Sequence, residues 1–224
     1  MMTPSVADHF AALKRSTDAT AWDADRRSAV EALAGWIASR LATGGPIAIV
    51  IVCTGNSRRS VMGAAMGNCA AALSGYPQAR FFSAGTAPSA FNPRSAAALR
   101  AIGLDVEPTG EFAEPGASGE PNPRYTARWG DGLDEGMVEF SKALGDHSLP
   151  RSGFAAVMVC DEADAGCPAV AGAAVRIPMP FADPKAFDDT TEEASRYAET
   201  RDALGRTMLE VFRQVKEVRG CECS

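Results

Sequence analysis

The run Pro46-Ile-Ala-Ile-Val-Ile-Val52 constrains this chain more than any other segment. It is apolar throughout instead of alternating, so a strand made from it must be covered on both faces, as in the centre of a parallel sheet. The strand predicted over Ile47–Cys53 runs straight into Cys53-Thr54-Gly55-Asn56-Ser57-Arg58-Arg59-Ser60. A helix from about Arg59 to Ser74 follows, with Met62, Ala65, Met66, Cys69 and Leu73 on its stripe. Cys69 on that stripe reads as a core residue without chemistry.

A strand, a cysteine, five residues, an arginine, a serine and a helix make a cradle for a tetrahedral oxyanion with a thiolate at its floor. The loop turns backbone N–H groups inward, and the helix start adds unpaired amides and a charge of roughly +0.5. Gly55 permits a tight turn, and Asn56 holds the loop through side-chain bonds to backbone. Arg59 offers a planar fork for two ligand oxygens. The same field favours negative charge on the Cys53 sulfur. Ser60 is placed to hydrogen-bond that sulfur. A buried cysteine at a strand end is common, and Cys-x5-Arg arises by chance. Here strand, Gly-Asn, Arg-Ser and helix all agree. The formal charge is −6, so anion attraction has to be local. Cys160 and Cys167, far along the chain, suggest redox chemistry in addition to hydrolysis.

Helices are expected over Ser5–Leu13 and Asp23–Leu41, the second burying Val30, Leu33, Ala34, Ile37 and Leu41. This extension, residues 1–45, packs on the core or forms a dimer surface, with packing favoured. Further elements are a strand at Arg80–Ser83, a helix capped by Asn92-Pro93 and stopped by Gly103, and a buried strand at Phe154–Val159. A short strand at Val175–Pro178 and a helix from Glu192 to Val218 complete the set, the helix turning Tyr197, Leu204, Met208, Val211, Phe212 and Val215 inward. Pro108–Pro123, rich in Gly, Pro, Glu and Ser, reads as an irregular insertion. Tyr125–Trp129 and Val138–Leu144 are ambiguous, so the insertion spans about 108–150 of a domain running 46–220. Alternating strands and helices imply a three-layer α/β/α sandwich on a mainly parallel four-stranded sheet. Active sites in such sheets lie at strand carboxyl ends, where Cys53, Ser83 and Cys160 all fall.

Composition excludes several classes. With 46% hydrophobic and 22% charged residues the chain is an ordinary globular one. The first residues lack the pattern of a secretory signal, and no run approaches a membrane span. Six cysteines without an export signal argue for free thiols in a reducing cytoplasm. No basic cluster suggests nucleic acid, and no metal-ligand constellation is evident. His147 reads as a solvated loop residue and His9 as a chemically unremarkable residue of the N-terminal helix. Cys221 and Cys223 read as a frayed tail, the alternative being an electron relay or a soft-metal or arsenite site.

These motifs resemble the low-molecular-weight protein tyrosine phosphatase superfamily, and within it the thioredoxin-coupled arsenate reductases. Cys53–Ser60 is similar to their phosphate loop, and Phe82-Ser83-Ala84-Gly85-Thr86 to their second strand end. Ala182-Asp183-Pro184 is similar to the loop with the general acid, and Val159-Cys160 through Cys167-Pro168 to the reductases' redox segment. The resemblance covers roughly Pro46 to Val218. It implies that Cys53 attacks a small oxyanion (arsenate, phosphate or sulfate) bound by Thr54, Gly55, Asn56, Ser57, Arg58, Arg59 and Ser60. It implies Asp183 as the acid, over its neighbours Asp188 and Asp189; an Asp-Pro dipeptide is otherwise a plain turn. It implies a relay in which Cys160 attacks Cys53, Cys167 attacks Cys160, and thioredoxin or a similar thiol reductant reopens the last disulfide, with no tightly bound cofactor. Gly166 and Pro168 disfavour a rigid helix end beside Cys167.

Three positions depart from the family. Arg58 replaces its usual cysteine. Ala64 stands where potassium-dependent reductases carry an acidic ligand, so no such potassium site is expected. Lys185 replaces the aromatic residue that lines the phenyl ring in the tyrosine phosphatases, which favours a small anion over phosphotyrosine. The expectation is arsenate reduction. The alternatives are a phosphatase working through a phosphocysteine and a non-catalytic oxyanion-binding or redox-sensing protein.

Overall fold

The computed structural model describes residues 4–116, 119–130, 136–167 and 169–221. Strand β1 spans Ile47–Cys53 and is followed by helix α3, Arg59–Ser74, both with the bounds expected from sequence. Helices α1, Pro4–Ser16, and α2, Ala24–Thr43, precede them. Asp23 caps α2 by accepting from the Arg26 amide, and Gly44 ends it in the left-handed region at φ 67°.

Strand β2, Ala79–Gly85, lies parallel to β1 on one side. On the other side stand β6, Phe154–Met158, and then β7, Ala173–Pro178, giving the parallel order β2-β1-β6-β7. This is the four-stranded parallel sheet flanked by helices that the sequence implies. Ile49, Val50, Ile51 and Val52 are at most 1% exposed, so β1 is covered on both faces. Helix α6, Glu193–Cys221, packs along α3 and α2. Its Tyr197, Leu204, Met208, Val211, Phe212 and Val215 are buried as expected.

The N-terminal extension packs on the core. Val6, Phe10 and Leu13 of α1 and Val30, Leu33 and Ile37 of α2 join the main cluster. Leu73 departs from its expected buried stripe: it sits in the last turn of α3 and is 40% exposed. Cys69 is fully buried, and burial drives its thiol pKa far upward, consistent with an inert core residue.

The insertion expected to be irregular over Pro108–Pro123 is strand at both ends, residues 108–113 and 122–123. Strands β3, Asp105–Ala113, β4, Asn122–Arg128, and β5, Gly136–Glu139, form a second, antiparallel sheet in that order. β3 is exposed at nearly every position, so it lacks the alternation that announces a half-buried strand. Pro108 is tolerated because β3 is an edge strand. The register shifts between Pro108 and Phe112, where Gly110 takes φ 82°. Helix α4, Pro93–Arg100, is capped by Asn92 as expected and ends just short of Gly103, whose φ is 91°. Helix α5, Asp161–Gly166, separates Cys160 from Cys167. Pro168 and Cys223 lie outside the described residues.

Candidate active site

The loop between β1 and α3 is tied down by its carbonyls. Cys53 O accepts from Thr86 N, Thr54 O from Ala87 N, and Gly55 O from Ser89 N. Ser57 O accepts from Asn92 N and from Ser95 Oγ. In a trans peptide the C=O and the following N–H point in opposite directions. Carbonyls bonded to surrounding segments therefore turn the N–H groups of Thr54, Gly55, Asn56 and Arg58 the other way, toward the loop's own centre. Arg58, at the N-cap of α3, gives the helix no side-chain cap, which leaves its first amides open to an anion.

Asn56 holds the loop's shape. It takes φ 44°, a left-handed conformation that asparagine tolerates better than most residues. Its Nδ2 donates to Ser60 Oγ at 2.8 Å, and its Oδ1 accepts from Lys142 N at 2.8 Å. Ser60 Oγ in turn stands 3.1 Å from Cys53 Sγ. Ser57 Oγ is spent on Ala90 O at 2.6 Å, so this side chain braces the loop and turns away from its centre. Gly85 is required for close approach: a Cβ there would stand 2.6 Å from Thr54 O and 2.9 Å from Asn56 N.

The two arginines diverge. Arg59 is buried and directs Nη1 to Phe181 O at 3.1 Å and Nη2 to Asp183 Oδ2 at 2.6 Å. Arg58 instead donates to Tyr197 OH at 2.6 Å and to Asp188 Oδ2 at 2.5 Å. Its expected share in holding the oxyanion is therefore limited to its backbone. Asp188 is occupied by Arg58 and Tyr197, and Asp189 pairs with Arg94, so both rival acids are engaged with other partners. Asp183 alone among the three reaches Arg59. Asp183 caps its own turn, accepting from Lys185 N at 3.0 Å. Arg26, from the N-terminal extension, stacks on the Phe181 ring at 3.9 Å and donates to Pro180 O, bracing the segment that leads to Asp183.

Cys160 is fully buried beside the loop. The β1–β6 register pairs Val52 with Met158, and two residues further on Cys160 faces Thr54, with Sγ 3.5 Å from Thr54 Oγ1. Cys167 is partly exposed at the far end of α5. Seven residues at the helical rise put its Cα about 10 Å from that of Cys160. Arg176 of β7 clamps this end of α5, donating to Cys167 O at 3.0 Å and Asp164 O at 2.5 Å and pairing with Asp164 Oδ1 at 2.6 Å. These carbonyls are the ones a helix end leaves without partners.

Sequence reasoning missed Ser141, Lys142 and Arg176. Ser141 Oγ donates to Gly55 O at 2.9 Å and accepts from Ser89 N at 3.1 Å. These residues lie some 85 positions from the loop or outside any motif, and nothing local marks them.

The fold and the loop together define an α/β protein whose central parallel strand ends in a cysteine loop that opens onto a helix N-terminus. The chain is similar to a low molecular weight phosphotyrosine phosphatase from Vibrio cholerae O395, with 14% identity and a TM-score of 0.47 over 78% of this chain and 99% of that one. It is also similar to a mutant of YwlE from Bacillus subtilis, at 16% identity and a TM-score of 0.45 over 76% of this chain and 99% of the other. A low molecular weight protein tyrosine phosphatase from Bacillus subtilis matches at 17% identity and a TM-score of 0.45, over 77% of this chain and 99% of that one. No family model matches the sequence, and neither does any curated protein. Among the described residues no helix is long and apolar enough to cross a membrane.

Proposed function

We propose that the chain reduces arsenate to arsenite by a relay through Cys53, Cys160 and Cys167. The observation that carries this reading is the Cys160 sulfur, buried at the end of the strand next to β1 and 3.5 Å from Thr54 Oγ1. Hydrolysis of a phosphate ester has no use for a thiol there.

Arsenate sits in the loop, its oxygens on the inward amides and the Arg59 fork. The Cys53 thiolate attacks arsenic and a protonated oxygen leaves as water, Asp183 supplying the proton. Cys160, as thiolate, then attacks the Cys53 sulfur. A disulfide forms, the S–As bond breaks, and its electron pair stays on arsenic, which leaves as arsenite. Cys167 attacks Cys160 and frees Cys53 as thiolate. The two electrons given to arsenic come from the thiols, and an external dithiol such as thioredoxin returns them. Cys167 begins partly exposed, where such a partner reaches it, and α5 must open before it meets Cys160, because Cα atoms about 10 Å apart exceed the span of a disulfide.

A second reading is phosphomonoester hydrolysis through a phosphocysteine, favoured by Asp183 standing beside Arg59. One experiment separates the two. Arsenate is supplied with thioredoxin, thioredoxin reductase and NADPH, and NADPH loss is followed in wild type, Cys160→Ser and Cys167→Ser. The relay requires arsenate-dependent turnover in wild type and its loss in both variants. Hydrolysis of para-nitrophenyl phosphate that survives both changes but dies in Cys53→Ser, without arsenate turnover, supports the phosphatase instead.

A further inference from the structure

A buried charge pair stands beside the loop, and the proposed relay makes no use of it. Lys142 is 5% exposed and Glu139 is 1% exposed. The Lys142 ammonium has three donors, and all are taken: Glu139 Oε2 at 2.9 Å, Phe140 O at 3.1 Å and Ser83 Oγ at 3.3 Å. Ser83 Oγ donates to the same Glu139 oxygen at 2.7 Å, and the ammonium also lies 4.6 Å from the centre of the Phe140 ring. Glu139 Oε1 is buried and accepts no hydrogen bond from the described residues.

Such a pair is a poor source of stability, because removing two charges from water offsets most of their attraction. What the ammonium does is hold the backbone of residues 140–142 in one place, and that backbone carries the loop. Lys142 N donates to Asn56 Oδ1 at 2.8 Å, while Lys142 O accepts from Gly85 N at 2.9 Å. Asn56 then holds Ser60, and Ser60 touches the Cys53 sulfur. An unbroken line of contacts joins the buried ammonium to the nucleophile.

We propose that Lys142, locked by Glu139 and Ser83, is a positioning residue for the oxyanion loop, setting the orientation of Asn56 and through Ser60 the state of the Cys53 thiol. This extends the function proposed above and rests on Cys53 being the anion-site nucleophile, but it does not require that the anion be arsenate.

The test uses Lys142→Met and the charge-neutral double variant Lys142→Met/Glu139→Leu. Two properties are measured: the pH profile of Cys53 alkylation by iodoacetamide, read by peptide mass spectrometry, and inorganic phosphate affinity by calorimetry. Lys142→Met is expected to bind phosphate about tenfold more weakly and to shift the alkylation profile to higher pH. The double variant, which leaves no unpaired charge, is expected to recover thermal stability while keeping both defects. That split is what a purely structural role does not produce. Either variant folding with the wild-type profile and wild-type phosphate affinity overturns the proposal. If the double variant recovers both along with its melting temperature, the charge is dispensable and the proposal also fails. Neither measurement depends on arsenate turnover, so a wild type that ignores arsenate, together with these shifts in the variants, refutes the relay and leaves this inference standing.

Discussion

Arg59 Nη2 and Asp183 Oδ2 lie 2.6 Å apart, so the loop's guanidinium fork and the carboxyl assigned as acid are engaged with each other. An arriving oxyanion has to compete with that carboxylate for the same donors. Asp183→Ala therefore has two opposed effects. Phosphate or sulfate is expected to bind roughly threefold to tenfold more tightly, since Arg59 is released. Turnover is expected to fall by about 10²–10⁴, since the proposed proton donor is gone. Calorimetry and steady-state rates on one preparation check both, and weaker anion binding in the variant would contradict the competition.

Gly85 is packed against the loop backbone, with Thr54 O and Asn56 N inside the space a Cβ would take. Backbone cannot swing aside as a side-chain tip can. Gly85→Ala is expected to destabilise the fold by about 1–3 kcal/mol and to weaken phosphate binding. Denaturant unfolding with phosphate titration checks this; unchanged phosphate affinity would show that the loop accommodates the methyl group.

Arg176 is the latch on α5. Without its bonds to Cys167 O and Asp164 O, the segment carrying Cys167 opens more readily. Arg176→Ala is expected to speed Cys160–Cys167 disulfide formation under oxidised glutathione roughly tenfold, the equivalent of about one hydrogen bond to a charged group. Thiol trapping at timed intervals reads the rate. Equal rates in both proteins would mean that α5 opening does not limit the step.

Asp188 links the start of α6 to the loop through Arg58. Burial alone would raise its pKa, but hydrogen bonds from Tyr197 and Arg58, with the charges of Arg58 and Arg94, outweigh it and hold the carboxyl below its usual 3.8. A carboxylate depressed in the folded state contributes stability above its unfolded pKa and loses it as pH falls through the folded value. The melting temperature of wild type is thus expected to drop on acidification below 3.8. Asp188→Asn is expected to be less stable by roughly 1–3 kcal/mol at neutral pH and to respond less to acid over that window. Thermal melts across a pH series compare the two slopes.

The segment from β1 through α3 was readable in its elements and bounds, though not in Leu73 or in where the side chains of Ser57 and Arg58 turn. Its apolar run, its Gly-Asn turn and its helical stripe are signals that act within a few positions, and the bounds Ile47–Cys53 and Arg59–Ser74 followed from them. The cap at Asn92 and the inward face of α6 were readable for the same reason. The sheet of β3, β4 and β5 was not, because an exposed edge strand held by backbone bonds carries no hydrophobic period.

From its own order of residues the chain determined a buried parallel strand, a cysteine loop and the helix that opens upon it, since each is set by neighbours in sequence. Only tertiary packing decided which arginine reaches Asp183 and which is drawn to Asp188, that Cys160 lies against Thr54, and that Lys142 supports Asn56. Those contacts join residues between 86 and 130 positions apart. Their geometry comes from strand register and core packing, which no local pattern of side chains encodes.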